Sequence, residues 1–304
     1  MSRFQVEDPD CQANDCSGIE QVIVPRTGDI GNFEVKRALP SKQRRMVGPF
    51  IFLDQMGPGE FITGQGVDVR PHPHIGLSTV TYLLSGTLDH RDSLGFYQRI
   101  KPGEVNLMTA GSGVVHSERI GQDVREKPSD LFGMQSWIAL PKSEEERESS
   151  FNNYTKESLP CLEDEGKIVR LICGNLYGMS SPVKTFSDTL YADISMESGA
   201  TLPVPKIVEE RALYALQGEL EIAGTSYEAG QLLILRPGDE ISVKARTKLR
   251  VMLLGGAPLE GPRHVWWNFV SSSKERIEEA KRQWREGLFP NVPLETEFIP
   301  LPEV

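Results

Sequence analysis

The sequence predicts an all-β fold: two tandem jelly-roll barrels followed by a short C-terminal helix. Three observations carry that reading. Short runs rich in β-branched and aromatic residues recur along the chain, divided by Gly/Pro turns such as Thr27-Gly-Asp29 and Gly57-Pro-Gly59. Many short strands at this spacing suit a sandwich or barrel of the jelly-roll type. The glycine and proline punctuation of the first half returns in the second, and no long helical pattern interrupts either half.

Taken in order, residues 1–20 are polar and read as a loose extension. The first barrel is expected over 21–150. It begins with the runs from Gln21, Phe33 and Pro49, and continues at Leu77–Leu84, Phe96–Ile100, Glu104–Met108 and Gly133–Leu140. The charged stretch from Lys142 to Ser150 reads as a solvated linker or short helical turn, and the domain boundary is placed there. The second barrel is expected over 151–270, with strands at Lys167–Cys173, Thr189–Met196, Ala212–Gln217, Glu219–Ile222, Gln231–Leu235 and Leu249–Leu254. Residues 271–304 form a helix and an extended tail packed on the barrels. Ser272 and Glu275 have capping-box spacing, and Ile277, Ala280 and Trp284 make one stripe before Gly287. Pro290, Pro293, Pro300 and Pro302 then keep the chain extended.

Bulk properties narrow the function. A length of 304 residues allows two cores. No apolar run approaches the roughly 20 residues of a membrane helix, and the N-terminus lacks the apolar core of a secretory signal. A cytoplasmic protein without membrane attachment is the expectation. A net charge of −10 removes the basic face that direct nucleic-acid binding requires. The four cysteines (Cys11, Cys16, Cys161 and Cys173) are scattered and read as reduced thiols. Cys11 and Cys16 are spaced to close a small loop, but no further ligand near them completes a zinc site.

The best metal-binding side chains come as two pairs, His72/His74 and His116/Glu118, each with spacing i, i+2. Residues two apart on a strand point to the same face. Two such strands side by side would aim three imidazoles and a carboxylate into one interior, a donor set suited to a divalent first-row metal. His90 and His264 read as satisfied core histidines. Met56, Phe61, Gln135 and Trp137 are candidate pocket walls, each more simply explained as core packing.

The spacing resembles the cupin motifs. Gly66, five residues, His72-Pro-His74, four residues, Thr79, six residues and Gly86 follow the first motif, with Thr79 in the glutamate slot. Gly113, two residues and His116 follow the second, with Glu118 two positions on. The second half keeps the punctuation without the ligands: counted from Gly199, the His-x-His slot holds Pro205-Lys-Ile207, and Ile241 takes the later histidine's place. That pattern is similar to a bicupin with one metal site lost, which implies one metal per chain. The displaced carboxylate, the wording Pro71-His-Pro-His74-x-Gly76 and Gly111-x-Gly113-x-x-His116-Ser-Glu118, and the tail Arg263-His-Val-Trp-Trp-Asn-Phe269 resemble the pirin family.

The resemblance implies oxygenase chemistry of the quercetin 2,3-dioxygenase type, with a flavonol or similar small aromatic substrate and O2. His72, His74, His116 and Glu118 would be the ligands of a mononuclear Fe(II) centre, Mn, Co, Ni, Cu or Zn being the other divalent ions such a site accepts. Glu118 would also be the catalytic base. Pirins are described as co-regulators too, so the resemblance carries an alternative: a metal- and redox-dependent protein that binds a transcription factor or metabolic enzyme. No partner-binding motif stands in the sequence.

Overall fold

Period-two patterning decides which side chains reach the interior. In Ile241–Ala245 the residues Ile241, Val243 and Ala245 are buried while Lys244 is exposed. In the facing strand Thr201–Val204, Leu202 and Val204 are buried. Such alternation is what a sheet with one packed face requires. Other strands, such as Val105–Thr109 and Leu232–Leu235, are buried along their whole length, as seen in a computed structural model that describes residues 18–30 and 33–303. Cys11 and Cys16 lie outside the described residues.

Two units emerge, each built from a seven-stranded and a four-stranded sheet. In the first unit the large sheet runs, in order, Ser150–Tyr154, Val105–Thr109, Leu77–Gly86, Ser129–Ala139, Phe50–Phe61, Glu34–Leu39 and Arg26–Asp29. Its small sheet runs Asp68–His74, Val114–Arg119, Leu88–Asp92 and Tyr97–Ile100. The second unit repeats this plan. Its large sheet runs Ile19–Ile23, Leu232–Leu235, Glu210–Gln217, Leu249–Gly256, Thr189–Met196, Lys167–Cys173 and Cys161–Asp164. Its small sheet runs Thr201–Val204, Ile241–Ala245, Glu219–Ile222 and Thr225–Glu228. One core cluster of the second unit draws buried residues from both of its sheets, so the core sits between them. The fold is the all-β tandem jelly roll expected.

The unit boundaries differ from the 21–150 and 151–270 division. Ser150–Tyr154 still pairs with Val105–Thr109, so the first unit continues to Lys156. The matching edge position in the second unit is filled from the other end of the chain, by Ile19–Ile23 on Leu232–Leu235. Residues 18–26 and Ala38–Phe50 therefore join Glu157–Pro258, while residues 259–303 join the first unit. A strand whose backbone groups need a partner goes to the open sheet edge, which sequence order does not reveal.

The charged stretch is only partly solvated. Lys142–Glu144 forms a 3-10 turn, but Glu145 is buried and its Oε1 lies 2.9 Å from Nε of the buried Arg263. The same carboxylate accepts from Ser271 Oγ, Ser272 N and Ser272 Oγ. A buried charge must be paired and hydrogen-bonded, and this one is. With Ser272 so occupied, the N-cap falls one residue later. Ser273 Oγ accepts from Arg276 N at 3.2 Å and starts the helix Lys274–Arg285. Ile277 and Ala280 are buried against Ile75, Val115, Phe269, Phe289 and Val292, with Trp284 beside them. Gly287, at φ +69°, ends the helix in the left-handed region. No helix among the described residues is long and apolar enough to cross a membrane.

Ile75 and Val115 are the chain neighbours of His74 and His116. On a strand, neighbours face opposite ways. The helix therefore buttresses the outer face of the strands whose inner face carries the histidines.

Candidate metal centre

Strand pairing brings the two predicted pairs together. Asp68–His74 runs antiparallel to Val114–Arg119, with His72 opposite His116 and His74 opposite Val114. The ligand nitrogens of His72, His74 and His116 lie within 4.8 Å of one another, and all three side chains are buried. His74 Nε2 and His116 Nε2 are 3.1 Å apart. Two nitrogens bound at about 2.1 Å to one ion, at right angles, would stand about 3.0 Å apart.

The partners of the other ring nitrogens fix which nitrogen faces inward. His72 Nδ1 is 2.9 Å from the Arg70 carbonyl and must donate to it, which leaves the Nε2 lone pair free. Arg70 sits where the register slips between the His72–His116 and Val69–Glu118 pairs, a bulge placed beside Pro71. His74 Nδ1 donates to the Asn268 carbonyl at 3.2 Å. That carbonyl comes from the hairpin of His264–Trp266 with Phe269–Ser271, whose turn holds Trp267 at φ +51°. The hairpin reaches the site because Ile75 bridges Phe269, and because residue 76 is glycine: a Cβ there would stand 2.0 Å from the Val270 carbonyl oxygen. His116 Nδ1 lies 3.3 Å from His90 Nδ1, and His90 Nε2 lies 2.9 Å from Asp92 Oδ2. For His72 and His74 the Nε2 atom is thus the unprotonated one.

Burial also keeps these rings neutral. It lowers the pKa of His72 to about 4, the Arg70 carbonyl opposing and His90 adding to the fall. It holds His74 and His116 well below the ordinary histidine value, with neighbouring imidazoles contributing. Neutral imidazole is the metal-binding form. Donor chemistry, tautomer and spacing all fit a divalent cation.

Glu118 is buried on the same strand, yet its carboxylate is outside the three-imidazole cluster. Its Oε1 is 3.3 Å from Thr81 Oγ1, and Thr81 Oγ1 is 2.7 Å from Gln135 Oε1. A hydroxyl carries one proton. Its proton is shared between two acceptors, Gln135 Oε1 and Glu118 Oε1. Burial raises the Glu118 pKa, against the lowering effects of His90 and of the Thr81 hydroxyl that donates to the carboxylate. Thr79, in the glutamate slot of the cupin pattern, is buried opposite Trp137 in the adjacent strand.

Of the candidate walls, Trp137 stands edge-on to His74 at 5.1 Å and stacks on Phe52 at 4.0 Å. Gln135 is reached through Thr81. Met56 and Phe61 instead belong to an apolar cluster with Phe33, Leu83 and Ile120. His264 lies half-buried on the hairpin, outside the clustered imidazoles. His90 is a satisfied buried histidine, but what satisfies it is the site itself. Sequence reasoning missed that role, and it missed Asp92, although His90 and Asp92 repeat the same-face i, i+2 spacing.

Comparison with known proteins agrees with this geometry. The family model described as Pirin matches residues 32–138, and the one described as Pirin C-terminal cupin domain matches residues 191–290. A pirin-like protein of Caulobacter vibrioides is 48% identical over 94% of this chain and 100% of its own length. Pirin of Rattus norvegicus is 31% identical over 83% of this chain and 86% of its own length. Among solved structures, quercetin 2,3-dioxygenase from Acinetobacter baumannii superposes with TM-score 0.88 at 34% identity, covering 95% of this chain and 97% of that one.

Proposed function

The chain belongs to the pirin family, and on that premise we propose that it is a metal-dependent oxygenase that opens the ring of a flavonol, chemistry of the quercetin 2,3-dioxygenase type. One observation carries the reading: three buried, neutral imidazoles converge beside one buried carboxyl group. His72, His74 and His116 hold one divalent metal through Nε2, and Fe(II) is the ion we assign. When bound, the metal supplies Lewis-acid stabilisation of an enolate oxygen and a template for dioxygen.

The chain's own residues do the remainder. Phe52 and Trp137 offer a stacked aromatic pair beside His74, a surface that a planar aromatic substrate matches. Glu118 takes the proton of the flavonol 3-hydroxyl, as a general base within hydrogen-bond reach. Once Glu118 is protonated, the Thr81 hydroxyl 3.3 Å from its Oε1 turns its own proton wholly to Gln135 Oε1, 2.7 Å away, and accepts from the acid. The neutral acid is thereby stabilised after transfer. The resemblance of the whole chain to a quercetin 2,3-dioxygenase supports the substrate class.

The test is oxygen uptake and carbon monoxide release by metal-loaded protein given quercetin. Turnover by wild type and none by His74→Ala is the expected outcome. Metal-loaded wild type that consumes no oxygen with any flavonol overturns the reading.

A further inference from the structure

Asp92 and His90 form a hydrogen-bond relay that ends on a candidate metal ligand. Asp92 is fully buried, and its two carboxylate oxygens have different duties. Oδ1 accepts from Leu94 N at 3.0 Å and Phe96 N at 3.1 Å, closing the turn after the Leu88–Asp92 strand. Oδ2 faces His90 Nε2 at 2.9 Å. A carboxylate only accepts, so a neutral His90 carries its proton on Nε2 and offers a bare Nδ1 to His116. His116 Nδ1 stands 3.3 Å away and becomes the donor. Its Nε2 is then unprotonated, 3.1 Å from His74 Nε2. Phe151 stacks on the His90 ring at 4.4 Å and keeps it in plane for both bonds.

We infer that Asp92 and His90 are positioning residues that set the tautomer of His116 and so complete the metal site. The inference rests on the three-histidine reading of the site. It differs from simple packing because every proton along the relay is dictated from the Asp92 end. Ligand histidines are commonly oriented by a carboxylate or carbonyl on the other ring nitrogen. Here a second histidine is inserted between carboxylate and ligand, while His72 and His74 use backbone carbonyls directly.

Asp92→Asn reverses the relay without changing its shape. The two backbone N–H groups hold the amide oxygen, so the NH2 group faces His90. His90 must then accept on Nε2 and carry its proton on Nδ1, against the proton of His116. The conflict is relieved when His116 moves its proton to Nε2, the metal-facing atom. Affinity for Co2+, measured by chelator competition on the full chain, should fall about 10–100-fold, the range typical of lost outer support. In metal-free protein, 15N spectra of the histidines should show His116 protonated on Nδ1 in wild type and on Nε2 in Asp92→Asn. Wild-type Co2+ affinity in the variant, or weakened affinity with His116 still protonated on Nδ1, overturns the inference.

Should Asp92→Asn fail to fold, His90→Phe keeps the stack on Phe151 but removes the acceptor. It should weaken Co2+ by a similar factor, and an unchanged affinity counts against the relay. If wild type itself binds no Co2+, the three-histidine reading fails. The tautomer spectra, recorded without metal, still decide the relay.

Discussion

The two jelly-roll units share a plan and differ in what fills it. Superimposing the registers of their small sheets pairs His72 with Leu202, His74 with Val204, His116 with Val243 and Glu118 with Ala245. Continuing to the next strand pairs His90 with Leu220 and Asp92 with Ile222. Even Pro73 has its counterpart, Pro203. All six substitutes belong to the buried aliphatic cluster of the second unit. A jelly-roll interior can gather imidazoles and carboxyl groups or aliphatic side chains alone, and the backbone does not choose. Six inward positions do.

The largest expected contrast comes from exchanging single residues at matched positions. His74→Ala should leave a chain that holds no metal after dialysis against a chelator and turns over no flavonol. Val204→His, at the equivalent place, should create no second site, because one imidazole among aliphatic neighbours lacks both co-ligands and an orienting acceptor. Elemental analysis should give about one metal per wild-type chain, consistent with one occupied unit. A second tightly held ion would break the comparison at its root.

Next in size is Glu118, whose counterpart is Ala245. Glu118→Gln keeps the shape and removes the charge and basicity. Metal affinity should fall about 10–100-fold, as when support around a metal is weakened. Flavonol turnover should fall by about 10²–10⁴-fold, the usual cost of a lost general base. Steady-state rates at saturating metal separate the two roles: full recovery would make Glu118 a ligand only.

The aliphatic unit should respond in stability instead. Leu202→Ala removes a buried side chain from the second core and should cost about 2–5 kcal/mol in denaturant unfolding of that unit. Metal content per folded chain should not change. A Leu202→Ala protein that loses metal while folded would show that the second core shapes the first site.

These contrasts mark what the sequence could convey. The all-β fold, the duplication and the convergence of His72, His74 and His116 are legible because strand period and glycine turns leave a local trace; that the Glu118 carboxylate stands outside the three imidazoles is not. His72, His74 and His116 meet as their spacing implied. Pairing was less legible. Counting from Gly199 put Pro205-Lys-Ile207 opposite the ligand slot, whereas the register with Ile241–Ala245 puts Leu202 and Val204 there. Hydrogen bonding to a neighbouring strand sets register, and a count along one strand cannot see it. The edge strand Ile19–Ile23 and the carbonyl of Asn268 were hidden for the same reason, each acting far along the chain from its origin. Glu145 looked solvated until Arg263 supplied a buried partner 118 positions away (263 − 145). His90 and Asp92 did leave a trace, a third i, i+2 pair, but an Asp beside a turn has a sufficient local explanation.

The smallest effect concerns the aromatic wall. Phe52 and Trp137 stack at 4.0 Å with an interplanar angle of 12°, and the Arg37 guanidinium lies 4.4 Å above the Phe52 ring. The aliphatic cluster of the second unit contains no buried aromatic residue among its members. Phe52→Leu preserves apolar volume and removes the stack. An aromatic pair is worth about 0.5–1.5 kcal/mol beyond area burial, so flavonol binding should weaken by roughly 2–13-fold. If the pair touches substrate alike in ground and transition states, as the proposed function has it, the loss should appear in KM with kcat unchanged. Metal affinity should hold, since Phe52 stacks on Trp137 and Trp137 still stands against His74. A fall in kcat with constant KM would mean instead that the stack fixes the His74 ring, and the wall would then belong to the metal site rather than to the substrate.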